Sequence, residues 1–431
     1  MKKYVFMALM VSGSLFAQAE EERLLTLNEA MMRALESDER IEIQRRDVNI
    51  AGREVDRAWT IISPRLDASG SYERPEEEIR REGQAVVPED NWRGTITARQ
   101  PVFDGRVLPA RRAGLALEEA SFQELVHVVR TSLFDVTQTY YEALRAQKQV
   151  EISGQTVDLA SKEVARAQAR FNAGEARRTE VLRAEVAESR AFRNLVEARN
   201  AYEVAKSDLA RRIGLPADLD YTIQVPDISS PPEDENLHAL YALALQERND
   251  LAAARNRIES GREERTVIRR EGWPTLDLEY QHQFVDPESF TTRNNFWRAS
   301  AVARYEFWDG GGRRISRLQQ EERIRQAELR VMELEKSIQL EVQQALLDLQ
   351  TVRENLATLR KEVDLADENF RTLSEQARVG LSTSLDVSTA LNALDQARTD
   401  LARQEFDLEV AKKRLKAAIG TFGESLIELE K

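Results

Sequence analysis

Few residues in this chain have the types and spacing that chemistry needs. The glycine-rich stretch Asp309-Gly310-Gly311-Gly312-Arg313-Arg314 follows an alternating segment and opens a long helix, which is where a phosphate cradle would sit. It lacks both the glycine spacing and the Lys-Ser/Thr pair of nucleotide loops, and reads instead as a flexible strand-to-helix joint. His127, His238 and His282 are far apart and have no neighbours at metal-ligand spacing. Cysteine is absent, so there is no disulfide, no thiolate site and no acceptor for a lipid anchor. The expectation is a protein that is not an enzyme, with no catalytic residue, no cofactor and no metal. One acidic residue stands out for another reason: Asp386 follows Ser382-Thr383-Ser384, where hydroxyls cap a helix and a carboxylate meets its positive end.

The elements around these residues come twice. Ser63-Pro64-Arg65-Leu66-Asp67 matches Trp273-Pro274-Thr275-Leu276-Asp277 at an offset of 210, and Val102-Phe103-Asp104-Gly105 matches Phe307-Trp308-Asp309-Gly310 at 205. Gly174 matches Gly380 and Ile213-Gly214 matches Ile419-Gly420 at 206. Self-similarity of this kind decides the architecture before any local detail does. The first repeat is expected over 20–215, with an opening helix, a strand pair in 64–103, a long helix 106–172 and a return helix 178–213. An equatorial linker, 216–236, leads to the second repeat, 237–420, with a strand pair in 274–308, a long helix 312–378 and a return helix 383–419. Residues 421–431 form a tail. The opening helices start at Leu27 to Ile41 and Leu237 to Leu251 and stop before Pro64 and Pro274, whose rings disfavour helix in the preceding residue.

Four segments have period two. Leu66, Ala68, Gly70 and Tyr72 alternate with polar residues, as do Trp92, Gly94, Ile96 and Ala98, then Leu276, Leu278, Tyr280 and His282, and finally Trp297 through Phe307. A half-buried soluble sheet alternates in the same way and, taken alone, is the commoner source of the pattern. But each segment is about ten residues long with aromatic residues near its ends, as strands that cross an outer membrane require, and an export signal over residues 1–19 favours the barrel. Four strands cannot close a barrel, and lipid does not tolerate an open edge. Two copies would give eight strands around a filled interior, whereas three give twelve and leave a lumen. The long helices lack obligatory breaks over about 100 Å. The return helices carry a seam, Ala191, Leu195, Ala198, Tyr202, Ala205 and Leu209, repeated by Leu394, Ala397, Leu401, Leu408, Ala411 and Leu415, which is knobs-into-holes spacing.

Lys2 and Lys3, an apolar run to Phe16 and Ala17-Gln18-Ala19 read as a signal peptide over 1–19. The net charge of -13 argues against nucleic acid, which needs a clustered positive face. A mean hydropathy of -0.53 with 32% charged residues excludes membrane helices, so any span must be made of strands.

In order and spacing these residues resemble the outer-membrane efflux protein family, the TolC-like outer-membrane factors. The resemblance rests on Gln100-Pro101-Val102-Phe103-Asp104-Gly105, on Tyr305 to Gly312, and on the tips Arg170-Phe171-Asn172-Ala173-Gly174 and Arg378-Val379-Gly380-Leu381-Ser382. It implies a membrane α/β-barrel: four transmembrane strands and long antiparallel coiled-coil helices per chain, a homotrimer closing twelve strands, and a helical barrel continuing into the periplasm. The implied function is a passive gated exit duct of a tripartite efflux or type I secretion system in the bacterial outer membrane, facing lipid. The implied partners are a periplasmic adaptor (a membrane fusion protein) and an inner-membrane transporter. By the same resemblance Val379, Gly380, Leu381 and Ser382 are adaptor contacts, with Asn172, Ala173 and Gly174 at the first tip, where Glu175 replaces the leucine. The family's acidic constriction falls on Asp386; its second position is Thr389, and Glu180 is the first-repeat counterpart. The competing expectation is a soluble periplasmic coiled-coil scaffold or adaptor, which fits the helices and leaves the paired strands unexplained.

Overall fold

Glycine and proline punctuate the chain into alternating strands and helices, and the duplication sets their order. The computed structural model describes residues 23–76, 79–81, 84–87, 90–216, 221–226, 236–286 and 295–427. The expected signal peptide, much of the linker and the last four residues of the tail lie outside them. The first repeat contains β1 (Arg23–Leu25), α1 (Leu27–Ser37), α2 (Glu39–Trp59), β2 (Arg65–Glu73), β3 (Ile79–Arg81), β4 (Gln84–Val87), β5 (Asn91–Phe103), α3 (Val107–Asn172) and α4 (Arg178–Arg212). After β6 (Tyr221–Ile223), the second contains α5 (Leu237–Glu247), α6 (Asn249–Arg270), β7 (Thr275–Asp286), β8 (Asn295–Arg304), α7 (Gly312–Arg378), α8 (Ser384–Ile419) and the short α9 (Glu424–Ile427).

The chain forms two compact units. One comprises residues 38–134, 231–354 and 411–431 and holds a four-stranded antiparallel sheet in the order β2-β5-β7-β8. Leu66 lies opposite Ala98, Ala98 opposite Tyr280, and Tyr280 opposite Ala299. Because side chains alternate along a strand, this register collects Leu66, Ala68, Ile96, Tyr280 and Trp297 on one face and Arg65, Asp67, Thr97, Arg99 and Glu279 on the other. The apolar face is open, with Leu66 78% and Trp297 65% exposed. Across the polar face Arg99 meets Glu279 at 3.5 Å and Arg304 meets Asp277 at 3.5 Å.

The repeated Asp-Gly pairs turn strand into helix. Asp104 accepts from the Arg106 amide at 2.9 Å, and Asp309 accepts from the amides of Gly311 at 3.0 Å and Arg313 at 2.6 Å. These are side-chain turns that use the short reach of aspartate. Gly105 is required by packing, since a Cβ there would lie 2.8 Å from the Trp273 ring.

The other unit comprises residues 1–37, 135–230 and 355–410. Here β1 pairs with β6 in parallel, Leu25 beside Ile223, and the buried Tyr140 hydroxyl lies 2.9 Å from the Leu25 carbonyl and 2.5 Å from that of Gln224. On α4 Ala191, Leu195, Ala198 and Leu209 are buried, and on α8 Leu394, Ala397 and Leu408. Phe370 of α7 packs with Val387, Leu391 and Leu394 of α8 and with Ala160 and Ala191.

Three features differ from the sequence expectation. Each opening helix is broken, at Asp38 and at Arg248. Asp38 is extended (φ -74°, ψ 113°) and caps α2 through the Arg40 amide, while Ser132 donates to its other oxygen. Arg248 has the same backbone conformation and bonds Glu341 at 2.7 Å and the Ala418 carbonyl at 3.1 Å. The pairs β1·β6 and β3·β4 were invisible because three- or four-residue strands carry too little alternation to register. Finally, β8 ends at Arg304, leaving Tyr305 to Trp308 outside the sheet.

Candidate functional site

The two long helices end at tips built alike. At the first, the Glu175 amide bonds the Arg170 carbonyl at 2.9 Å and the Gly174 amide that of Phe171 at 2.9 Å; at the second, the Leu381 amide bonds Gln376 at 2.9 Å and the Gly380 amide Ala377 at 3.2 Å. This is the Schellman ending, which needs a left-handed residue, and Gly174 (φ 78°) and Gly380 (φ 82°) supply it. At the second tip Val379 and Leu381 stand 59% and 79% exposed, and Ser382 donates to the Leu373 carbonyl at 2.8 Å. At the first tip Asn172 accepts from Gln168 at 2.8 Å, Ala173 is exposed, and Arg178 sits 5.9 Å from the Phe171 ring.

The return helices start differently. Thr383 caps α8: its amide donates to the Asp386 carboxylate at 2.9 Å and its hydroxyl at 2.7 Å, and the Asp386 amide in turn bonds the Thr383 carbonyl at 3.1 Å. The two hydrogen bonds that the carboxylate accepts from Thr383, the one from the amide foremost, hold the Asp386 carboxyl below its usual range. The N-cap of α4 is Arg177, whose side chain makes no capping bond. Glu180, in the first turn of α4, lies 3.7 Å from Arg170.

Arg170 also approaches the other tip. Its Nη2 reaches the Glu175 carbonyl at 3.5 Å and would lie 3.4 Å from a Cβ at Gly380. Below it, Ser374 donates to Glu163 at 2.7 Å and Arg166 pairs with Glu163 at 2.7 Å. Between the hairpins is a cavity of about 190 Å³ lined by Ala160, Ala167, Ala184, Ala187, Arg170 and Glu180, among others. Glu180 therefore faces inward between the hairpins, whereas Asp386 is exposed and outside the cavity lining. Thr389 is exposed and bonds the Leu385 carbonyl at 2.8 Å. Sequence reasoning placed Arg170 in the first tip and assigned it no role, because no local signal points to its contacts with Glu180 and the second tip. It also missed that Thr383, rather than either flanking serine, is the cap; Thr-x-x-Asp is close to the capping-box pattern and could have revealed it.

The duplicated chain, with an open sheet whose apolar face is exposed, paired long helices and glycine-turned tips, has the strand-and-helix architecture of outer-membrane efflux proteins. The comparisons agree. The outer membrane efflux protein family matches residues 27–215 and 240–421, and the chain belongs to that family. The outer membrane efflux protein BepC of Brucella suis is 25% identical over 430 residues, covering 97% of this chain and 90% of that protein. The alkaline protease secretion protein AprF of Pseudomonas aeruginosa is 23% identical over 351 residues, covering 79% and 72%. In fold, the Campylobacter jejuni CmeC outer membrane channel superposes with a TM-score of 0.79 at 14% identity, covering 100% of this chain and 98% of that one. The protein is thus a bacterial outer-membrane protein of the efflux class.

Proposed function

We propose that three copies assemble into a passive, gated exit duct of a tripartite efflux or type I secretion system. The observation that carries this reading is the sheet: both edges, β2 and β8, lack a partner among the described residues, and the apolar face is exposed. Neither condition is stable in lipid until the strands close. Helix α7 adds an exposed apolar seam, Ile315, Leu318, Leu329, Met332, Leu340 and Leu347, at spacings of three, four and their sums that suit another helix. In this reading the apolar sheet face meets outer-membrane lipid and the polar face lines a wet lumen.

Val379, Gly380, Leu381 and Ser382 form the principal dock for the periplasmic adaptor, with Asn172, Ala173 and Gly174 beside them, and the adaptor links the duct to an inner-membrane transporter. Asp386 supplies a ring of three carboxylates at the narrow end, which favours cations, with Thr389 one turn further on. Glu180 ties Arg170 and so holds the first tip in place. Opening is a splaying of the tips once the adaptor binds.

Carbonate washing of membranes followed by sedimentation in detergent tests the reading. A duct stays in the membrane, sediments as a trimer and conducts in planar bilayers. Release by carbonate as a monomer without pore activity would instead support a periplasmic scaffold.

A further inference from the structure

We infer that neighbouring copies join through β8 of one and β2 of the next in a single antiparallel register, with Ala303 opposite Gly70, Val302 opposite Ser71 and Ala301 opposite Tyr72. The inference rests on the trimeric barrel proposed above and adds its residue-level seam.

The duplication supplies the argument. The hairpins of the two repeats are equivalent to the residue. In β2·β5, Leu66 lies opposite Ala98 and Asp67 opposite Thr97; in β7·β8, Leu276 lies opposite Ala303 and Asp277 opposite Val302. An offset of 210 therefore carries β2 onto β7, and 205 carries β5 onto β8. Within the chain the repeats meet through β5·β7, where Ala98 lies opposite Tyr280 and Ile96 opposite His282. In a ring of six nearly equivalent hairpins, the contact from the second repeat to the next copy's first repeat is the same contact. Carrying each strand to its counterpart turns Ala98 and Tyr280 into Ala303 and Gly70, and Ile96 and His282 into Ala301 and Tyr72.

Two independent features agree with this register. The facing residues belong to like faces: Ala301, Ala303, Gly70 and Tyr72 are all on the apolar side. A slip by one residue would set apolar against polar along the whole seam. The strand lengths agree as well. β5 has 13 residues and β8 only 10, and the part of β5 that β8 lacks runs along β7. Its counterpart, Tyr305 onward, is exposed, Phe307 by 83%. Pairing with the next copy lets β8 continue beyond Arg304, with Tyr305 opposite Ala68, as its alternating sequence asks.

Cysteine pairs test the register, because the chain has no cysteine of its own. Residues directly opposite across antiparallel strands have Cα atoms about 4.5 to 5.5 Å apart, within disulfide reach. Gly70 accepts a side chain, having no atom within 4 Å of an added Cβ. Because β2 and β8 are opposite edges of one sheet, a bond between them joins two copies. Under mild oxidation in membranes, Ala303→Cys with Gly70→Cys is expected to give dimer and trimer bands on a non-reducing gel, and each single variant to give none. Ala303→Cys with Ala68→Cys or with Tyr72→Cys, which keep the faces but shift the register by two, should give several-fold less. Stronger bonding at a shifted pair, or none at any pair in protein that sediments as a trimer, overturns the register. Protein that sediments as a monomer in detergent overturns the barrel reading instead.

Discussion

The two tips share one backbone solution and differ in almost everything attached to it. Both turn on a left-handed glycine in a Schellman ending. The second projects two apolar side chains, Val379 and Leu381, from a turn held by Ser382 and followed by a capped helix. The first projects Ala173 and Glu175 and leads into a helix whose N-cap, Arg177, makes no side-chain capping bond. Duplication copied the geometry, because the turn needs only glycine. The surface then diverged, because the turn does not constrain what it displays. In the duct proposed above, the second tip is therefore the better docking surface and the first the better candidate for a moving part.

The largest effect should come from filling the second turn. Gly380→Trp sets a bulky side chain at a left-handed position and should abolish adaptor capture in pull-down assays while sedimentation still reports trimers. Gly174→Trp should weaken capture far less, and equal losses would erase the distinction between the tips. Next, Leu381→Ala should weaken adaptor binding about tenfold, or about 1.4 kcal/mol, as for a buried interface anchor. The reciprocal change Glu175→Leu, which gives the first tip its missing leucine, should strengthen binding measurably in the same titration.

Asp386 tests cap against gate. Asp386→Ala should reduce cation preference and raise conductance in planar bilayers, whereas Thr383→Ala, which keeps the carboxylate and loses the cap at a cost of about 1 kcal/mol, should leave selectivity unchanged. An unaltered reversal potential in Asp386→Ala would remove it from the gate. The pH dependence has a definite sign. A carboxyl whose folded pKa lies below its unfolded value stabilises above the unfolded pKa and ceases to as pH falls through the folded one. The protection of amides at the start of α8, relative to their intrinsic exchange rate at each pH, should therefore be flat near neutrality and fall below roughly pH 4, while the start of α4, without such a box, should show no matching fall. The smallest effect should be that of Arg170→Ala. The Arg170–Glu180 pair is partly exposed, and such pairs contribute under about 1 kcal/mol, so thermal stability should barely change while basal conductance rises.

Legibility followed the range of the interaction. The helix spans around α3 and α7, the alternating strands and the four helix-ending glycines are visible in the sequence because each is a local demand: a period, a ring that blocks helix, a turn that excludes Cβ. The breaks at Asp38 and Arg248 were hidden, since the helical pattern continues through them and the break depends on partners such as Ser132 and Ala418. Glu180 and Asp386 look alike as acidic residues near a helix start. One faces Arg170 between the hairpins and the other is exposed.

By itself, then, the sequence determined the duplication, the sequence of elements and the backbone of both tips, because periodicity and glycine act within a few residues. Only the tertiary structure decided that β5 pairs with β7, that Arg170 approaches Gly380 from a helix some two hundred residues away in the chain, and which carboxylate is tied and which is open. Those outcomes depend on which surfaces meet, and no local pattern encodes the partner on the other side of a contact.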